Sequence, residues 1–166
     1  TYNGSSNYNT STSATIKQTV AKASTNTALT SAPDPSVFGQ AKVLTATVSA
    51  TAPGAGTPTG TVSFFDGIVL VGTATLDAGG TATFTTSTLG VGIHALTAVY
   101  AGSTSFNGST SLIDPQTVTT ADTTTVLTSL PDPSVFGQAK VLTATVTATA
   151  PGAGTPTGTV SFFHRH

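Results

Sequence analysis

Apolar and polar residues alternate along much of this chain. Over Lys42–Ala50, Leu44, Ala46 and Val48 fall on one side and Thr45, Thr47 and Ser49 on the other. A period of two marks a strand with one buried face. The same reading predicts strands over residues 25–30, 42–50, 61–65, 69–76, 81–85, 94–100 and 109–118, each bounded by turn residues. Pro33-Asp34-Pro35 ends the first, because proline fixes φ and removes a ladder donor. Residues 52–60 (APGAGTPTG) are a loop by composition. Asp66-Gly67 predicts a two-residue type I′ hairpin turn, in which both central residues take φ > 0. Residues 77–80 turn again, residues 89–92 make a corner and residues 101–107 form a loop. Inward parity assigns Leu44, Val48, Val62, Phe64, Phe84, Leu96 and Tyr100 to one core. No apolar pattern at helical spacing runs to useful length. Short strands at this spacing, about seven of them, pack as two antiparallel sheets face to face.

The pattern then repeats. Residues 31–65 recur as residues 129–163 with two changes, Leu130 for Ala32 and Thr147 for Ser49. The same offset of 98 aligns Tyr2 with Tyr100, Gly4 with Gly102, Asn9 with Asn107, and Gln18-Thr19-Val20 with Gln116-Thr117-Val118. Solenoid repeats run at roughly 20–50 residues, so a longer period means self-contained domains in tandem. Residues 23–120 are read as a whole module, long enough to bury its own core. Residues 1–22 are the closing strand of a preceding module, and residues 121–166 are the first part of a following one, with three strands. The junction at residues 115–125 (PQTVTTADTTT) is short, free of glycine and rich in β-branched residues, hence stiffer than a Gly/Ser tether.

Composition narrows the function. Thr supplies 38 of 166 residues, and Glu, Cys, Met and Trp are missing. Such a balance favours strands. The net charge is −1 with five Lys and Arg, so the basic footprint of a nucleic-acid partner is lacking. No run of 18 apolar residues is present to span a membrane. Without Cys there is no disulfide framework. The chain does not begin with Met, which leaves room for a signal peptide upstream.

Two motifs carry a family resemblance: G-x-H-x-L-T-A-x-Y-x-G-S from Gly92 to Ser103, and P-x-G-x-V-x-F-F-D-G from Pro58 to Gly67. Together they resemble the bacterial Ig-like repeat domains of large surface and secreted proteins, over the whole module and both partial ones. The resemblance implies an all-β, immunoglobulin-like sandwich and an extracellular or cell-surface location. In antibody-type domains a tyrosine two residues before the second cysteine bonds back across a corner. His94, two residues before Leu96, resembles a replacement for that tyrosine. Leu44, Leu96 and Phe64 would then take the places of the two cysteines and the tryptophan.

Candidate chemistry is sparse. His94 as a base would need a nucleophile or carboxylate partner, and none stands at a recognisable spacing. Its corner role instead predicts burial and a bond to backbone a few residues earlier. Asp34, Asp66, Asp77, Asp114, Asp122 and Asp132 read mainly as turn residues. They form no D-x-D cluster, and no Glu completes a calcium loop or a glycosidase pair. Gly54-Ala55-Gly56 lacks the following helix and lysine of a phosphate loop. Asn3-Gly4-Ser5, Asn9-Thr10-Ser11 and Asn107-Gly108-Ser109 fit the N-glycosylation pattern but read as loop composition. The Thr-x-Thr pairs (Thr45/Thr47, Thr73/Thr75, Thr81/Thr83) would suit an ice lattice only on a flat sheet, and sandwich sheets twist. His164-Arg165-His166 breaks the repeat where Asp66-Gly67-Ile68 would recur, and reads as a tag or vector remnant.

These readings predict no catalytic, cofactor or metal site. They predict a structural role as spacer, stalk or fibre segment, reaching roughly 30 Å per module. The alternative is an adhesive module recognising glycan or protein through residues 52–60 and 101–107, whose one hot-spot anchor is Phe106. The expected partners are neighbouring modules of the same chain. Leu142, Val146, Val160 and Phe162 need a cover. It comes either from the rest of a longer chain or from strand addition, with residues 2–20 of one copy pairing with a neighbour's sheet.

Overall fold

A computed structural model describes residues 1–164. Arg165 and His166, part of the tag-like ending, lie outside the described residues. The strands in chain order are β1 (Thr25–Ala32), β2 (Ser36–Val37), β3 (Lys42–Ala50), β4 (Thr61–Asp66), β5 (Val69–Thr75), β6 (Thr81–Thr86), β7 (Gly92–Tyr100), β8 (Ser109–Thr110), β9 (Asp114–Thr119), β10 (Thr123–Leu130) and β11 (Val141–Ala148). No helix occurs among the described residues.

One sheet runs β1-β3-β6. The other runs β2-β9-β7-β4-β5, with β8 also on β7. All pairs are antiparallel except β2 with β9. The inner faces close on Leu44, Ala46, Val48, Val62, Phe64, Leu76, Ala82, Leu96, Ala98, Tyr100 and Phe106. Phe84 is half-buried, packs against this cluster and stacks on Phe64 with ring centroids 5.9 Å apart. Its ring lies over Gly72, where a Cβ would come within 2.2 Å of Phe84 Cζ. That close approach fits the bulge beside Gly72, where the ladder shifts between Phe64 (opposite Gly72) and Phe65 (opposite Leu70).

Several sequence expectations are corrected. The first strand runs on to Ala32 before the prolines stop it. The predicted strand at residues 109–118 is two strands, β8 and β9. Ser111 Oγ accepts the Ala98 N–H at 2.9 Å and donates to the Leu112 carbonyl, interrupting the backbone ladder between them. The hairpin turn also sits one residue later than expected. Asp66 pairs with Val69, so Gly67 and Ile68 are the central residues. Only Gly67 has positive φ, at 57°. A turn with φ > 0 at its first central position alone spares Ile68 a conformation its branched side chain resists. Asp66 stays in β4.

The second copy of the repeat keeps the register of the first. Thr123 pairs with Ala148 and Leu130 with Val141, as Thr25 pairs with Ala50 and Ala32 with Val43. The expected third strand, residues 159–163, does not form. Leu142, Val160 and Phe162 are exposed and Val146 is half-buried. Residues 1–20 form no closing strand either; Tyr2 bridges Ser11 and Ser5 bridges Tyr8.

Candidate functional site

Polar side chains gather at one end of the sandwich, where β3 and β7 begin. Lys42, two residues before Leu44, shares its inward parity and is 1% exposed. Gln116, two residues before Val118 on β9, is 4% exposed. Lys42 Nζ donates to the Pro33 carbonyl and to Gln116 Oε1. Gln116 Nε2 donates to Asp114 Oδ1 and to the Pro115 carbonyl, each at 3.1 Å. Ser31 Oγ donates to Asp114 Oδ2 at 2.8 Å. Asp34 Oδ1 accepts the Thr117 N–H at 2.9 Å. Burial pushes the Lys42 amine below the usual lysine range, and the charges of Asp34 and Asp114 oppose that shift.

His94 faces the same cluster, because it pairs with Gln116 across the β7–β9 ladder. Its Nδ1 lies 2.7 Å from Asp66 Oδ2, and its Nε2 lies 2.9 Å from the Gly90 carbonyl. Asp66 Oδ1 also accepts the Ala95 N–H at 3.0 Å. Both ring nitrogens meet acceptors, and only the imidazolium can donate from both. The hydrogen bond to Asp66 raises the His94 pKa above its ordinary value. Burial pulls the other way, and the Gly90 bond and the Asp66 charge add to the rise. The expectation that His94 lacks a carboxylate partner is therefore corrected. Asp66 is 28 residues away in sequence and arrives through cross-strand placement. A general base needs a free ring nitrogen and a nucleophile to deprotonate. The ring nitrogens of His94 go to Asp66 and Gly90 instead.

The other singled-out residues sit as follows. Leu44, Phe64 and Leu96 are fully buried in one cluster. Tyr100 is buried with its hydroxyl donating to the Thr59 carbonyl at 2.8 Å. Gly67 supplies the turn. Asp77 Oδ1 accepts the N–H groups of Gly79 and Thr81 in its turn. Among the described residues no group of three His or Asp side chains is placed to hold a metal ion. Phe106, the one anchor in the loops, is buried against the core. Lys42 and Gln116 were not singled out from the sequence, although both stand on the inward parity of their strands.

Phe106 lies over Gly56, where a Cβ would come within 3.5 Å of the ring, and Phe38 lies in the equivalent place over Gly154, at 3.6 Å. The Ala153 N–H donates to the Phe38 carbonyl at 3.2 Å. Phe38 thus fills, in the second copy, the seat that Phe106 fills in the first. An apolar pocket remains there between Phe38, Ala121, Ala148 and Pro156.

A family model for the bacterial Ig-like domain (group 3) matches residues 29–121. No curated protein matches the chain. Among solved structures, a chain from "Structures of Clostridium thermocellum CbhA fibronectin(III)-like modules" is 26% identical. That match covers 74% of this chain and 63% of the other, with a TM-score of 0.41.

Proposed function

This chain belongs to the bacterial Ig-like domains of group 3, and on that premise we propose that it is a structural module, one of a tandem series that spaces other domains of an extracellular or cell-surface protein. The observation that carries the reading is the junction between copies. β9 ends at Thr119 and β10 begins at Thr123. A three-residue link of Thr120, Ala121 and Asp122 leaves little chain for the two units to swivel on, unlike a flexible Gly/Ser tether. Strand length sets a reach of roughly 30 Å per unit. The polar end supports the same reading, since its side chains bond to one another and to backbone, as a core-organising network does.

Solution scattering on chains of one, two and four repeats tests the proposal. The expected result is a maximum dimension that grows linearly with repeat number. A dimension that stays flat, as for repeats folded back on one another, defeats it. Binding of a purified module to a glycan or protein array would instead favour the adhesive reading.

A further inference from the structure

The polar end holds the reactants for a covalent bond. We propose that Lys42 and Gln116 form an intramolecular isopeptide cross-link, with Asp114 holding the nitrogen that leaves, so that β3 of one sheet is tied to β9 of the other. The geometry on which this rests is threefold. Lys42 Nζ lies within hydrogen-bonding distance of Gln116 Oε1, which puts the amine next to the carboxamide carbon. The pair is almost fully buried, at 1% and 4% exposure, so bulk water does not compete for the acyl carbon. Asp114 Oδ1 touches the nitrogen that must leave, Gln116 Nε2, and its other oxygen is fixed by Ser31.

The step balances without any co-reactant. The neutral amine of Lys42 adds to Gln116 Cδ, and a C–N bond forms. The proton shed by Nζ passes to Nε2 on the same tetrahedral carbon, while Asp114 Oδ1 holds that nitrogen at 3.1 Å. The Cδ–Nε2 bond then breaks and ammonia departs, leaving a secondary amide between the two side chains. Burial favours the required neutral amine by lowering the Lys42 pKa. The preceding copy carries Gln18 in the place of Gln116 but Ile16 in the place of Asp114, so the carboxylate distinguishes this copy from its neighbour. The inference does not depend on the spacer reading, since a cross-linked module could serve either role.

The test is mass spectrometry of the intact, folded chain with peptide mapping. The expected mass is below that of the sequence by one ammonia, with a branched peptide joining Lys42 to Gln116. A Lys42→Arg chain, which keeps the positive charge, should recover the full sequence mass. A parent chain at full mass overturns the proposal whether or not any variant folds. So does an ammonia loss that maps instead to Asn3 or Asn107, each of which precedes glycine and can cyclise on its own backbone. A folded Asp114→Asn chain that closes as fast as the parent overturns the role given to the carboxylate.

Discussion

His94 Nδ1 lies 2.7 Å from Asp66 Oδ2, joining the inward start of β7 to the last residue of β4. The contact raises the His94 pKa in the folded state, chiefly through the Asp66 hydrogen bond. The unfolded value is about 6.5. A raised folded pKa stabilises fully below the unfolded value, and that contribution is lost as pH rises through the folded one. Denaturant unfolding from pH 5 to pH 9 should show the parent losing stability relative to His94→Gln above about pH 6.5. Parallel profiles for the two proteins would contradict the assignment.

Phe64 stacks on Phe84 at the centre of the core. Phe64→Ala removes a fully buried ring and should cost about 3–5 kcal/mol, a large share of a domain's usual stability of about 5–15 kcal/mol. Equilibrium urea unfolding measures it.

Gly72 lies under the Phe84 ring, with no room for a methyl group. Gly72→Ala should cost about 1–3 kcal/mol by overpacking. The cost should shrink in a Phe84→Leu background, where the ring is gone. A double-mutant cycle reads the coupling, and additive effects would place the strain elsewhere.

Tyr100 donates its hydroxyl to the Thr59 carbonyl, tying β7 to the loop before β4. Tyr100→Phe keeps the buried ring and deletes only that bond, for about 0.5–1.5 kcal/mol. A loss nearer that of a core truncation would mean that the hydroxyl organises more than the loop.

Gly67 takes φ of 57° at the first central position of the β4–β5 turn. Gly67→Ala should cost about 1–2 kcal/mol, the penalty of a side chain in left-handed backbone. Ile68→Ser, at a fully solvated position, should be near neutral. Thermal melts of the two variants separate the backbone effect from the side-chain effect.

The sequence by itself determined most of the strands between residues 25 and 100, their buried faces and the offset of 98 residues. Those features are local or periodic: alternation fixes which side of a strand is inward, and Pro, Gly and Asp mark where it must stop. Leu44, Phe64, Leu96 and Tyr100 were legible for that reason. What the period of two cannot supply is the residue opposite. It puts Lys42 on the inward side of β3, but nothing near it in sequence shows that Gln116, 74 residues away, meets its amine. It marks Asp66 as the edge of a turn, but only the ladder between β4 and β7 carries its carboxylate to His94. The hairpin was misplaced by one residue because Asp-Gly fits two turns equally well, and the pairing of Asp66 with Val69 chose between them. The strands at residues 159–163 and in residues 1–20 were expected from their own sequences and did not form. A strand is stabilised by the partner it pairs with, so its propensity is spent only when the rest of the sheet is present.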